Sequence, residues 1–185
     1  FTELRNPGLK SLSLGEDVTL TPDHVRVLQR LPLESFESAA EISDDTFVAF
    51  ALFPELKRLR LHNAPLTDPA LKAVIGLGKL EELRAEGSRV MGPGLEHLAD
   101  RAGLRVLDLS GGKVSNESLG ALLALPGLKE LRLAGNPITD DGAVILAQLD
   151  GVELLDLGET GITDAALGIL KAHSTLTTLI APNTR

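Results

Sequence analysis

At 185 residues and 43% hydrophobic, the chain can bury a substantial core, and one domain spanning residues 1–185 is the expectation. A net charge of −8 repels polyphosphate and argues against general nucleic-acid binding, and no apolar run approaches the roughly 18 residues of a membrane-inserted helix. The absence of cysteine excludes disulfides and thiolate metal sites.

The chain opens Phe1-Thr2-Glu3-Leu4-Arg5, without Met. Leu4, Pro7 and Gly8 align with Leu123, Pro126 and Gly127 further on, so the expectation is a start partway through the helix of a preceding unit, in a longer parent protein. From there an L-x-x-L-x-L motif begins at Leu9, Leu33, Leu56, Leu80, Leu104, Leu128, Val152 and Leu176, with spacings of 24, 23, 24, 24, 24, 24 and 24. Of its 24 defining positions 23 are apolar, where the composition alone supplies about ten. Alternating side chains predict a short strand in each unit.

A second apolar ladder follows at Leu66, Val90, Val114, Ile138 and Ile162. The next residue is Thr67, Met91, Ser115, Thr139 or Thr163, and four of these five supply a hydroxyl suited to capping a helix. Thr21-Pro22-Asp23 and Ser43-Asp44-Asp45 repeat the pattern in the first two units. Helical stripes come next, read as Leu71, Val74, Ile75 and Leu77 in one unit and Leu119, Leu122, Leu123 and Leu125 in another. Phe47, Phe50 and Phe53 align with the first of these stripes and read as core, whereas Val48 and Leu52 fall on the outer side. Each unit is therefore strand, loop, helix, turn. Strands stack about 4.8 Å apart and helices need about 10 Å, so the helical side splays and the strands line the inside of a curve.

The segment Leu128-Lys129-Glu130-Leu131-Arg132-Leu133-Ala134-Gly135-Asn136-Pro137-Ile138 resembles the leucine-rich repeat proteins, and the likeness extends over all eight units. The Ile162-Thr163-Asp164-Ala165-Ala166-Leu167 form of the second half is similar to helical-backed bacterial members and to the recognition repeats of eukaryotic F-box proteins. The resemblance implies an α/β right-handed solenoid in a horseshoe arc, with a parallel sheet on the concave face and short helices on the convex face. It also implies a protein-interaction module with a protein partner, no cofactor and no catalysis. The alternative is the recognition domain of a larger enzyme or signalling protein such as a ubiquitin ligase. The family carries Asn or Cys at the ninth position to bond the turn, and here Ala64, Ser88, Gly112, Asn136, Thr160 and Thr184 stand there. The turn at Gly112 is accordingly expected to be more mobile than that at Asn136.

Motifs that suggest chemistry yield to this frame. Gly111-Gly112-Lys113 lacks the spacing of a phosphate loop, since Val114 follows the lysine and belongs to the buried ladder. His24, His62, His97 and His173 share no metal-ligand spacing, and Asn116-Glu117-Ser118 is a formal glycosylation sequon at a helix start. The outward strand positions remain. Arg58, Arg60, His62, Glu82, Arg84, Glu86, Asp108, Glu130, Arg132 and Asp156 form a charged strip across units three to seven, the candidate partner-binding surface. Asp108, Arg132 and Asp156 alternate in sign on adjacent rungs, which favours cross-strand pairing. Asp108 and Asp156 lie two strands apart on an open face and do not form a catalytic pair. Reversal of Arg60 and Arg84 to Glu is the substitution this reading suggests for removing a partner.

Overall fold

A computed structural model describes residues 6–99 and 101–184; the alignment at Leu4 falls outside them. Eight strands form one parallel sheet in chain order. They are β1 (Ser11–Leu14), β2 (Ser35–Ser38), β3 (Arg58–Leu61), β4 (Glu82–Ala85), β5 (Val106–Asp108), β6 (Glu130–Arg132), β7 (Leu154–Asp156) and β8 (Thr178–Ile180). The motif sets the register directly. Leu12, Phe36, Leu59, Leu83, Leu107, Leu131, Leu155 and Leu179 stand side by side, one per strand. A one-residue slip would turn every one of these side chains out of the core, so pattern and register are the same fact.

Leu66, Val90, Val114, Ile138 and Ile162 are all fully buried, as are Phe36, Phe47 and Phe50, with Phe53 close behind. Phe36 and Phe50 pack with ring centroids 4.8 Å apart. In the end units Leu9, Leu12, Leu14, Leu176, Leu179 and Ala181 are only partly buried. A rung needs a neighbour on each side to lose its contact with water, and the first and last have only one.

The backing segments divide into two kinds. The outer units carry α-helices: α1 (Pro22–Leu28), α2 (Asp44–Ala49), α3 (Asp140–Leu146) and α4 (Asp164–Leu170). The central three carry 3₁₀ helices at Asp68–Gly76, Pro93–Leu98 and Asn116–Ala124, and a short 3₁₀ turn at Phe50–Leu52 extends α2. This corrects the expected stripes. With three residues per turn, Leu71, Val74 and Leu77 share one face, while Ile75 turns away and is 49% exposed. Leu123 leaves the stripe of Leu119, Leu122 and Leu125 in the same way. Val48, Leu52 and Val144 are exposed on the helical side, as the alignment predicts for the first two. No described helix is long and apolar enough to cross a membrane.

Hydroxyls stand where caps were expected, but only some of them cap. Thr21, Ser43 and Thr163 accept from the amides of His24, Thr46 and Ala165. Thr67, Ser115 and Thr139 make no such bond, and in the unit of Met91 the cap position is Gly92. The acidic or amide residue after the cap reaches forward to the next unit instead. Asp44 takes the Thr67 amide at 2.9 Å and the Thr67 hydroxyl. Asp68 accepts from the amides of Met91, Gly92 and Gly94 at 3.1, 3.0 and 2.8 Å. Asn116 bonds both the amide and the hydroxyl of Thr139, and Asp140 does the same to Thr163. Amides at the starts of the helices at Asp68, Pro93, Asp140 and Asp164 are thus satisfied from the preceding repeat.

Burial works against the charged form of Asp68, but the amides of Gly94, Gly92 and Met91 outweigh it and hold the carboxyl below its usual range. The backbone and hydroxyl of Thr163 lower Asp140 likewise.

Candidate interaction surface

Each strand sends its leucines to one side and its third- and fifth-position residues to the other. The core lies between strands and helices, so the opposite face of the sheet is left to polar side chains. Parallel sheets are ordinarily covered on both faces. Here Arg58, Arg60, Arg84, Glu130, Arg132, Leu154 and Asp156 stay partly exposed on the outward face.

Arg60, Arg84, Glu130, Arg132 and Asp156 form a continuous chain of ion pairs with Glu82. Arg60 holds Glu82 through two bonds, Nε to Oε1 at 2.7 Å and Nη2 to Oε2 at 2.9 Å. Arg84 Nε reaches the same Glu82 Oε1 at 2.6 Å, and its Nη2 reaches Glu130 Oε1 at 3.0 Å. Arg132 Nε closes on that same Glu130 oxygen at 2.6 Å, and its Nη1 lies 3.9 Å from Asp156. At the other end Glu37 stands 3.9 Å from Arg60 and 3.1 Å from His62 Nε2, while His62 Nδ1 is 3.5 Å from Glu86. Nine of the ten predicted positions are brought into this network, with Glu37 as a member that the sequence reading left out.

Two details differ from the expected ladder. Arg132 pairs first with Glu130 on its own strand, and Asp108 pairs with Arg84 at 3.5 Å rather than with Arg132. The reason is local. Asp108 Oδ1 accepts the Ser110 amide at 3.0 Å and Asp156 Oδ1 accepts that of Gly158 at 3.0 Å, so each carboxylate is turned toward its own loop.

The network is set deep enough to shift its members. Burial opposes the ionised form of Glu82, yet Arg60 and Arg84 hold its carboxyl below the usual range. Arg60 is raised chiefly by its bond to Glu82; Arg84 is raised against the cost of its own burial by Glu82 and Glu130. Glu82 retains only 9% side-chain exposure, so reversing Arg60 and Arg84 would crowd carboxylates around a nearly buried one. That double reversal tests folding as much as binding.

The tenth predicted residue stands apart. The Arg58 guanidinium forms no ion pair or hydrogen bond among the described residues, because both oxygens of Glu82, its register neighbour on β4, are already taken. Just before it runs a second charged row at the strand starts, which the sequence reading missed. Glu34 binds Lys10 at 2.7 Å and Lys57 at 2.9 Å, and Lys129 binds Glu153 at 2.9 Å. The alternation Lys10, Glu34, Lys57, Glu81 at the second motif position was the sign that could have found it.

The ninth-position residues also resolve. Asn136 is 2% exposed and reaches back one unit, accepting the Val114 amide at 2.8 Å and donating to the Leu109 carbonyl at 2.9 Å. It donates to Leu133 and Ala134 in its own turn as well. The turn containing Gly112 is therefore bonded by a side chain after all, supplied by the following repeat. Thr160 Oγ1 donates to the Leu157 carbonyl at 2.7 Å, whereas Ser88 Oγ is buried without a partner among the described residues. The amide of Asn116, the sequon residue, is engaged with Thr139.

A Leucine Rich repeat family profile matches residues 126–147, the unit that contains Asn136. An internalin (inlF) from Listeria monocytogenes superposes with a TM-score of 0.71 at 21% identity, over 94% of this chain and 48% of that one. The chain has the leucine-rich repeat solenoid fold. Internalin C2 of the same bacterium matches this solenoid with a TM-score of 0.65 at 18% identity, over 94% of this chain and 81% of that one. The plant peptide hormone receptor RGFR1, solved in complex with RGF2, gives 0.57 at 17% identity, over 91% of this chain and 34% of that receptor. The solenoid thus spans about half the length of inlF and a third of RGFR1. No curated protein matches the chain.

Proposed function

We propose that this leucine-rich repeat solenoid is a protein-interaction module that docks a protein partner on the outward, concave face of its sheet. The contact surface comprises Arg58, Arg60, His62, Glu82, Arg84, Glu86, Asp108, Glu130, Arg132 and Asp156. The supporting observation is the uncovered face of an eight-stranded parallel sheet, carrying a pre-ordered row of charges instead of an apolar layer. Ion pairs already formed in the free protein fix those side chains, so less rotamer freedom is lost on docking. A peptide hormone receptor of the same fold was solved in complex with RGF2, which supports a binding role. The role is binding rather than catalysis, since the two strand-end aspartates are committed to their turns and to arginines.

A photo-crosslinking amino acid placed at Val106 or Leu154 on the sheet face should form an adduct with a protein partner in cells. The same group at Lys72 or Val144 on the helical side should not. Adducts confined to the helical side would overturn the assignment.

A further inference from the structure

The outward face is not uniform in charge. On β4 to β7 the two outward guanidiniums, Arg84 and Arg132, are held by carboxylates, which outnumber them. The corner formed by the starts of β1, β2 and β3 is the reverse. Lys10 and Lys57 share one carboxylate, Glu34, at 2.7 and 2.9 Å. Arg58 follows Lys57, and its guanidinium has no partner among the described residues. Lys10, Lys57 and Arg58 therefore stand around Glu34, with Glu81 the further carboxylate near Lys57, which leaves a local excess of positive charge in a chain whose net charge is −8. Ser11 and Ser35 lie beside Arg58 in register, and neither hydroxyl makes a bond among the described residues. Free hydroxyl donors, two ammonium groups and an uncommitted guanidinium fork together suit a carboxylate.

We propose that this corner, Arg58 with Lys10, Lys57, Ser11 and Ser35, docks an acidic segment of the protein partner, through its Asp or Glu side chains. The inference rests on the sheet-face reading above and names the partner chemistry for one part of it. Glu34 already shows that Lys10 and Lys57 hold a carboxylate in this setting. Arg58 on β3 and Lys10 beside β1 are two strands apart, about 10 Å. A segment in the polyproline II conformation repeats every three residues and so brings every third side chain to the same face, about 9 Å apart. The segment therefore carries two acids spaced i, i+3. A polyphosphate strand is a poorer occupant, because its charge continues along the face toward Glu37 and Glu82. Screening over about 8 Å spares a short carboxylate contact more than a long polyanion track.

The test titrates the isotopically labelled chain with a deca-glutamate peptide, a deca-lysine peptide and a phosphoserine peptide of equal length, followed by amide resonances. Deca-glutamate should move the resonances of Ser11, Ser35 and Arg58 first. Arg58→Ala should weaken its binding at least fivefold and Arg58→Glu should abolish it, with melting temperatures unchanged because Arg58 anchors nothing. Lys72→Ala on the helical side should have no effect. Shifts centred elsewhere, an undiminished response in Arg58→Glu, or deca-lysine binding at this corner would overturn the proposal. So would a phosphoserine peptide that binds here more than tenfold tighter. If sheet-face crosslinks form with a partner that Arg58→Glu still captures, this inference fails while the sheet-face reading stands. Crosslinks confined to the helical side remove both.

Discussion

The junction between repeats five and six differs from the one before it, though the two share the same hydrophobic construction. Leu83, Leu107 and Leu131 are equally buried, and β4–β5 and β5–β6 pair over three residues each. Between repeats five and six, Asn136 reaches back to Val114 and Leu109, and Asn116 reaches forward to Thr139. Between repeats four and five both stitches are missing. Gly112 has no side chain to reach back with, and Gly92 stands where other units have Asp or Asn. Among the described residues one side-chain hydrogen bond remains besides the 3.5 Å ion pair of Arg84 with Asp108, from Ser118 Oγ to the Met91 carbonyl at 2.8 Å, and a groove of about 530 Å³ lined by Met91, Glu96 and Glu117 opens beside it. A solenoid's stability is close to a sum of neighbour terms, so the contrast predicts a weak joint beside a strong one.

The sharpest way to break the contrast is Asn136→Ala. It strands the buried Val114 amide and the Leu109 and Leu133 carbonyls, and should cost about 3 kcal/mol in urea unfolding. Hydrogen exchange at Val114 should quicken with it. Ser88→Ala removes a hydroxyl that bonds nothing and should change stability by no more than about 0.5 kcal/mol. Equal losses in the two variants would show that the buried amide adds nothing beyond its packing.

Gly112→Ala comes next. A Cβ there would lie 2.9 Å from Asn136 Oδ1 and 2.9 Å from the Leu109 carbonyl, so the cost should be about 1–3 kcal/mol. That cost should shrink when Asn136 is already Ala, because one of the two obstructions has gone. Strict additivity in the double variant would mean that the glycine is not there to admit the asparagine.

The strands and their register were legible because period-2 burial and a 24-residue repeat are properties of one-dimensional order. The charged strip was legible for the same reason, as its residues occupy fixed motif positions. The partners were not. Which carboxylate Arg132 or Arg84 selects depends on how Asp108 and Asp156 turn toward their loops, and that is a matter of rotamers. The stitches of Asp44, Asp68, Asn116 and Asp140 were hidden behind a correct but incomplete idea, that Ser or Thr caps its own helix. The 3₁₀ helices could have been read from Leu71, Val74 and Leu77 and from Leu119, Leu122 and Leu125, each spaced by three, but Ile75 and Leu123 imitated the wider α stripe.

The first three repeats offer a third kind of joint, electrostatic rather than hydrogen-bonded. Bonds from Lys10 and Lys57 lower the Glu34 carboxyl from 4.5 to about 2. A carboxyl depressed in the folded state stabilises fully above its unfolded value and less as acid is added. The Glu34 contribution should therefore be present above about pH 4.5 and be lost as the pH falls toward 2. Glu34→Gln should flatten the fall in stability over that window and leave neutral exchange at Val114 unchanged. A variant whose acid unfolding overlays the parent's would assign the acid sensitivity to Asp68, Glu82 and Asp140 instead.

The smallest predicted effect concerns the eighth position. Gly87, Gly111 and Gly135 adopt φ of 73°, 70° and 68° there, and the next two repeats place Glu159 at 55° and Asn183 at 54° in the same left-handed region. A side chain with a Cβ is strained in that conformation by about 1–2 kcal/mol, and asparagine much less because its short amide tolerates it. Glycine relieves the strain but loses more backbone freedom on folding, about 0.5–1 kcal/mol. Glu159→Gly should therefore stabilise the chain by about 0.5 kcal/mol, the remainder of these two terms. Asn183→Gly should be neutral or slightly harmful. Matched shifts in both urea midpoints would contradict the strain argument, and a loss at Glu159 would mean that its side chain contributes an attraction large enough to outweigh the left-handed backbone.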